Sequence, residues 1–571
     1  MENVEIAKVL EDVADLLDIQ GANPFRVRAY RNAARTIGTL GTPVATLIAT
    51  NGHRLEALPG IGADLAGKIA GLCRTGRLPL LGQLAKKTPE SLVALLRLPG
   101  VGPKRAKLIH QKLHVNTIAQ LEKAAHTGKL SALPGIGETT ARAILKGIAQ
   151  DKAHQARVPI ALAEAYVQPL LEALREVPGA AKVEVAGSLR RRAETVGDVD
   201  ILVAAEHPEA AADRFVHHSS VQRVLAHGAT RSSVVLRSGL QVDLRVVAPA
   251  SYGAALYYFT GSKAHNIAVR QMAVKRHLKI NEYGVFHGRR RVAGQDEAEV
   301  LRAVGLPWIA PELRENRGEI DAAREGRLPA LVALGDLRGD LQMHTTATDG
   351  KDSLEDMARA AAARGYAYIA FTDHTDAVRV AGGLTRTGFR AQFREIERVQ
   401  KTLSRLTILK GAEVDILEDG SLDLDEPTLA ELDVVVISVH SHFNMTRAEM
   451  TRRVVRAMAH PRARILGHPT GRLIGKREPY AIDMAEVVKA ARDHGVLLEI
   501  NAQPDRLDLN DVHAAMAREA GVPLVISTDA HRVEELDLMH YGVDQARRAW
   551  CEAKDVANTR PIGGFRKLLS A

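Results

Sequence analysis

The sequence is poor in cysteine, has no long apolar run and carries little net charge for its length. Cys73 and Cys551 are its two cysteines, too few for a disulfide framework and unable to form a Cys-x-x-Cys zinc site. A reducing interior is the simplest setting, so the cytoplasm is the expected location. No apolar stretch reaches the roughly 18 residues that a membrane helix needs. The opening segment MENVEIAKVLEDVADLL is acidic and amphipathic, unlike a signal peptide. No membrane partner is therefore expected. Apolar residues at 46% and charged residues at 25% match globular averages, which excludes a mainly disordered, collagen-like or fibrous chain. A length of 571 residues predicts about four domains, or a few larger ones.

The net charge of +9 is unevenly placed. Residues 1–335 carry 45 basic and 32 acidic side chains, a balance of +13, whereas residues 336–571 carry 32 and 36, a balance of −4. A basic first part joined to a slightly acidic second part points to two jobs, the first involving a polyanion.

Residues 1–155 show apolar side chains at helical spacing, as in Ile6, Val9, Leu10, Val13, Leu16 and Leu17. Between the expected helices a Gly-rich turn recurs three times, as LPGIG at 58–62, LPGVG at 98–102 and LPGIG at 133–137. The glycine pairs Gly60 and Gly62, Gly100 and Gly102, and Gly135 and Gly137 allow unusual φ and a close approach to a ligand. The N–H groups of such a turn and of the helix that follows make an anion site. Three copies in a basic helical region resemble helix-hairpin-helix motifs, which grip the DNA backbone without reading sequence. Lys104, Arg105 and Lys107 would add phosphate contacts.

From residue 156 the texture changes to β-branched runs: VEVAGS, VDILVAA, SSVVLR and QVDLRVV. Asp198 and Asp200 are two residues apart on an expected strand, which places both carboxylates on one face. Two like charges so close call for a cation between them. Oxygen ligands suit Mg²⁺ or Mn²⁺. Asp243, on another expected strand, could complete the set, and three carboxylates holding two metals fit in-line phosphoryl transfer. Gly187 and Ser188, ahead of Arg190 and Arg191, can hold a triphosphate.

After residue 336, short apolar strands alternate with amphipathic helices, which predicts a mostly parallel barrel or sheet. The strands end in His344 and Asp349, His374, Glu413, His440, His468, and Asp529 with His531. Such a fold collects its chemistry at the C-terminal ends of strands, so these side chains are expected to converge. Mixed imidazole and carboxylate ligands favour Mn²⁺, Zn²⁺ or Fe over Mg²⁺ alone. His442 and His460 fall off the pattern and are expected at the surface or just behind the ligands.

GSLRRRAETVGDVD, QVDLRVV, LYYFTGSKAHN and INEYGVF together resemble the core of the family X DNA polymerases, over roughly 1–315. The resemblance implies that Asp198, Asp200 and Asp243 bind two metals, with Asp243 helping to activate the primer 3′-hydroxyl. It also implies that Ser188 and Arg191 hold the nucleotide phosphates. Tyr258, Phe259 and Gly261 would line the sugar pocket, and Asn266 would contact the base or minor groove. Gln241 stands where an Arg is expected, and Lys263 where an Asp is expected. Residues FRVRAYRNAA and LPGIGADLAGKIAGL look like that family's small lyase domain, with Lys68 on the Schiff-base position and Arg26 and Tyr30 on 5′-phosphate positions. Asp64 there replaces a basic residue.

The second half resembles the PHP domain, over about 336–571. This resemblance implies a distorted seven-fold β/α barrel with up to three metals, held by the eight His, Asp and Glu residues named above. The family opens with His-x-His, whereas this sequence has Gln342 at the first position.

The expected chain is therefore multidomain. A helix-hairpin-helix region comes first (1–85 lyase-like, 86–155 DNA-binding). An α+β nucleotidyltransferase palm (156–240) and a thumb with the end of the palm (241–315) follow. A linker (316–335) leads to a PHP phosphoesterase barrel (336–571). The expected activity is gap-filling DNA synthesis in repair, with a Mn²⁺-dependent 3′–5′ exonuclease or end-cleaning phosphoesterase. Expected partners are gapped or primed duplex DNA and deoxynucleoside triphosphates, and a monomer is expected. A template-independent nucleotidyltransferase and a DNA-binding scaffold with weak or no catalysis are the alternatives.

Overall fold

The computed structural model describes residues 3–38, 44, 47–48, 55–58, 60–98, 101–155 and 157–570. It divides into two compact units, the first formed chiefly by 1–157 and the second chiefly by 158–571.

The first unit is helical among its described residues. Its apolar positions at helical spacing turn inward, so Ile6, Leu10, Val13, Leu16 and Leu17 are all buried. The three Gly-rich turns share one hydrogen-bonding scheme. In each, the residue between the glycines donates to the leading leucine: Ile61 to Leu58 at 3.1 Å, Val101 to Leu98 at 3.0 Å and Ile136 to Leu133 at 3.0 Å. The second glycine then accepts the first helical bond, from Ala66, Ala106 and Ala141 at 2.9, 2.9 and 3.0 Å. Ile61, Val101 and Ile136 are buried and anchor each turn. Gly60 and Gly135 have φ of +79° and +78°, where a side chain would be strained. Gly100 lies outside the described residues.

The second unit begins with a five-stranded sheet. Its strands are β1 (Lys182–Val185), β2 (Asp198–Ala204), β3 (Val221–Ala226), β4 (Arg231–Leu236) and β5 (Gln241–Val247), in spatial order β1-β2-β5-β4-β3. Strands β2 and β5 are the parallel pair at its centre. Their alternation buries Val199, Ile201, Val242 and Leu244 on one side and leaves the intervening acids half-buried on the other. A three-stranded antiparallel sheet follows: β6 (Leu278–Asn281), β7 (Gly284–His287) and β8 (Arg290–Ala293).

Seven parallel strands then run in sequential order: β9 (Gly339–Asp340), β10 (Tyr368–Phe371), β11 (Thr407–Asp415), β12 (Val434–Ser438), β13 (Ile465–Leu466), β14 (Leu497–Asn501) and β15 (Leu524–Ser527). Most of their residues are buried on both faces, which is why they read as unbroken apolar runs. The sheet nearly closes into a barrel. His344 N donates to Ala530 O at 2.8 Å, just past the two end strands, and Thr528 N donates to Asp340 Oδ1 at 3.1 Å.

The segment expected to link the two enzymes is packed rather than loose over 319–335. Glu319 is fully buried against His265 Nδ1 at 2.6 Å, and Val332 N donates to Cys551 O at 2.9 Å. Its charge and lack of an apolar stripe hid this packing, which also draws Ala323 and Val332 into buried apolar clusters.

Candidate active sites

The first candidate site lies on β2 and β5. Their parallel register sets Asp200 opposite Asp243 and Asp198 opposite Gln241. Burial, together with the neighbouring Asp198 and Asp243, raises the Asp200 carboxyl to about 7. Three carboxylates held this way fit divalent cations, which would relieve their repulsion. Asp243 also accepts from Ser233 Oγ, and from Gln241 Nε2 at 3.2 Å. Gln241 thus steadies Asp243 with a neutral donor where the family resemblance anticipates a cation.

Gly187 has φ of +62°, and a Cβ there would come within 2.8 Å of Asp200 Oδ2. Glycine is therefore required for the short helix Gly187–Arg190 to begin beside the carboxylates. Ser188 is half-buried in the first turn of that helix. Arg191 Nη1 donates to Thr260 O at 2.6 Å and its Nε to Glu315 at 3.0 Å. Arg190 grips both oxygens of Glu297, at 2.8 and 2.7 Å.

These bonds bring the helix Tyr252–Thr260 to the carboxylates. Gly261 caps that helix, and a Cβ on it would lie 3.4 Å from Arg191 Nη1. The Arg245 guanidinium lies 5.0 Å from the centre of the Phe259 ring, and Tyr258 packs edge-on against Phe259. Asn266 donates to Tyr258 O at 2.7 Å, leaving its Oδ1 buried without a partner. Lys263 is exposed at the start of the next helix. The residues expected to hold metal, phosphate and sugar thus share one neighbourhood.

Because Asp200 is protonated below about 7 in the cation-free site, cations compete there with a proton. Binding of the cation that displaces this proton should weaken about tenfold per pH unit below that value, with one proton released from Asp200 as the site fills. Titration calorimetry in buffers of different ionisation enthalpy measures this, and a flat pH profile would contradict it.

The second candidate site is the mouth of the barrel. Among the described residues, three sets of side chains could each hold an ion: His344, Asp349, His374 and His531; His374, Glu413 and His440; and His344, Glu413 and Asp529. Glu413 is central and fully buried, with the ring nitrogens of His344, His374, His440 and His468 at 3.4, 3.3, 3.2 and 2.9 Å. All eight residues expected from the sequence therefore meet. Burial works against charge on Glu413, Asp349 and Asp529, yet the surrounding histidines hold all three well below the usual carboxylate range. Burial likewise disfavours the cationic imidazoles, but the acids push His440 up to about 9 and His531 to about 10. Buried nitrogens on His344, His374 and His468 lack hydrogen-bond partners among the described residues. Such a donor set, with acids and imidazoles crowded together and nitrogens unsatisfied, suits transition-metal ions.

Gln342 departs from this pattern. Its amide is fully buried, and neither amide atom has a partner among the described residues. A Cβ on Gly467, the neighbour of His468, would lie 3.4 Å from its oxygen. His442 and His460 stand apart, paired with Glu418 at 3.8 Å and Glu426 at 2.8 Å.

The sequence reading missed the residues that orient these ligands. Asp415 Oδ1 accepts from both the backbone N and Nδ1 of His440 at 3.1 Å, fixing the ring. Glu499 Oε2 accepts from His468 N at 2.7 Å. Asp415 follows Glu413 by two residues and so shares its face, which was the available signal.

Known proteins bear on these two sites. Family models match in succession: a helix-hairpin-helix domain (1–78), a SAM-like helix-hairpin-helix tandem (92–150), a DNA polymerase beta palm (157–252), a DNA polymerase beta thumb (255–315) and a PHP domain (340–503). The "DNA polymerase/3′-5′ exonuclease PolX" of Bacillus subtilis (strain 168) is 37% identical over 573 residues, spanning all of this chain and 99% of that protein. The chain belongs to the PolX family. Two other relatives match only part of this chain. DNA polymerase lambda of Rattus norvegicus is 25% identical over 346 residues, covering 55% of this chain and 56% of the relative. A probable phosphatase of Thermoanaerobacter sp. (strain X514) is 29% identical over 203 residues, covering 34% and 78%. Polymerase and PHP regions in one PolX chain imply the use of divalent metal ions. Among the described residues, no helix is long and apolar enough to cross a membrane.

In the lyase-like region, Lys68 Nζ is 2.6 Å from Asp64. Partial burial opposes its charge, but Asp64 and Tyr30 raise the ammonium above its ordinary range. A Schiff-base lysine needs the opposite shift. Borohydride trapping on a 5′-deoxyribose phosphate end should therefore give no adduct at Lys68, and an adduct lost in Lys68→Ala would contradict this.

Proposed function

We propose that this chain fills short gaps in DNA by template-directed nucleotidyl transfer and trims 3′ ends in its PHP half. The observation that carries this reading is the presence of two separate ligand constellations in one chain. One is the all-carboxylate set on β2 and β5, and the other is the His-rich set at the barrel mouth.

In the polymerase half, Asp198, Asp200 and Asp243 hold Mg²⁺ or Mn²⁺. Such ions, when bound, make the 3′-hydroxyl more acidic and offset charge on the transferring phosphate. Asp243, as the third ligand, would help to activate the primer 3′-hydroxyl. Gly187, Ser188 and Arg191 receive the triphosphate, Tyr258, Phe259 and Gly261 enclose the sugar, and Asn266 contacts the base or minor groove. The paired glycines of the three turns, with Lys104, hold the duplex through its phosphates.

In the PHP half, His344, Asp349, His374, Glu413, His440, His468, Asp529 and His531 would hold Mn²⁺ or Zn²⁺, which would make a water more acidic at neutral pH. Asp415 and Glu499 fix the rings and backbone of these ligands. The chain works as a cytoplasmic monomer, with domains near 1–85, 86–155, 156–240, 241–315 and 336–571 and a linker at 316–335.

Template dependence tests the polymerase reading. A gapped duplex should take up only the nucleotide complementary to the gap. Equal uptake with and without a template strand would favour a template-independent transferase instead.

A further inference from the structure

Three consecutive arginines of the polymerase half are each pinned by a different acid, and Arg192 also by Glu164. Arg190 is held by Glu297 and Arg191 by Glu315 and Thr260 O. Arg192 is held from the PHP half, by Asp544 at 2.6 Å. Asp544 lies on the helix Met539–Arg548. The same helix supplies Tyr541, whose hydroxyl donates to Glu164 at 2.6 Å and whose ring joins the apolar core of the five-stranded sheet.

The last residue of that helix reaches furthest toward the nucleotide site. Arg548 Nη1 donates to the backbone carbonyl of Arg191 at 2.7 Å. It also donates to Glu315 Oε1 at 3.0 Å, the same oxygen that accepts from Arg191 Nε at 3.0 Å. Its other nitrogen is fixed by Asp511 at 2.8 Å. Arg548 and Glu315 expose only 7% and 17% of their side chains, so water does little to screen them.

We propose that Arg548, from the PHP half, is a positioning residue for the polymerase's triphosphate grip. Arg191 must turn from Glu315 to reach a triphosphate. With Arg548 in place, Glu315 keeps a partner when Arg191 leaves. Without it, release of Arg191 would strand a buried carboxylate, which is strongly unfavourable. Arg191 would then stay locked on Glu315, and its carbonyl would lose a donor. The inference rests on the reading of Arg191 as a triphosphate ligand.

The test is steady-state gap filling by the full chain with Mg²⁺, reading the nucleotide KM separately from kcat. Arg548→Met should raise the KM roughly tenfold or more, as expected when one partner of a buried charge network is removed. Adding Glu315→Gln to that variant should restore most of the loss, because Arg191 is then no longer held. A merely structural role predicts no such rescue. Arg548→Lys, which keeps the charge, should fall between. If Arg548→Met does not fold, Glu315→Gln alone carries the test and should leave the nucleotide KM at or below that of the parent. Equal impairment of the single and double variants, or a fall in kcat with KM unchanged, would overturn the proposal. Arg191→Ala separates the two levels. If it leaves the nucleotide KM unchanged, the reading of Arg191 fails. If it raises the KM and Arg548→Met does not, only the relay fails.

Discussion

Replacing Asp243 with alanine should lower gap filling at least about a thousandfold while hydrolysis at the PHP site stays within about twofold of the parent protein. Asp243 sits opposite Asp200 on the central strand pair, so its loss removes a ligand that neighbouring side chains cannot replace. Gln241 and Ser233, which donate to it, can offer no second carboxylate. The fold should survive. Asp243 is only half-buried, and its removal eases the repulsion that raises Asp200. The measurement is nucleotide incorporation on a gapped duplex beside hydrolysis of a small phosphodiester, with thermal melting as a control. A parallel loss of both activities in a folded protein would contradict the separation of the sites.

The second large effect is expected at Glu413. This one carboxylate lies within 3.4 Å of four histidine rings and belongs to two of the three candidate ion sites. Glu413→Gln keeps the shape but removes the charge. Metal content should fall by at least one ion per chain, and phosphodiester hydrolysis should drop about a thousandfold or more. The cation-free protein should also be less stable. His440, held protonated up to about 9 by Glu413 and Asp415, would lose its main partner. Breaking a buried pair costs about 3–5 kcal/mol, less here because Asp415 remains. Stability gained from the His440 pair is present below its unfolded value and is lost as pH rises through about 9, so the variant's deficit should shrink toward that pH. Elemental analysis, hydrolysis rates and melting between neutral and alkaline pH check each part. Full metal content in Glu413→Gln would contradict its place in two of the candidate sites.

Much of this was legible in the sequence for definite physical reasons. A parallel strand buried on both faces must be apolar, so the polar cluster that ends it stands out, as at Thr372-Asp373-His374 after β10. Two carboxylates one residue apart share a face, and Asp198 and Asp200 do. The Gly-rich turns repeat because one hydrogen-bonding scheme repeats. What stayed hidden depends on contacts without periodicity. Arg472 grips both oxygens of Glu194 at 3.1 and 2.7 Å across 278 residues, and Arg192 meets Asp544 across 352. Such pairs look like ordinary surface charges until the chain is folded. Glu499 was hidden differently, as one acid within an apolar strand.

The central claim is that one chain carries two metal sites that act separately. It is tested most directly on an end-labelled, gapped duplex with Mn²⁺, with and without nucleotides, using the parent, Asp243→Ala and His344→Ala. The account predicts that Asp243→Ala shortens the 3′ end but never extends it, and that His344→Ala extends it but no longer shortens it. If either substitution abolished extension and shortening together in a folded protein, the two-site account would be wrong.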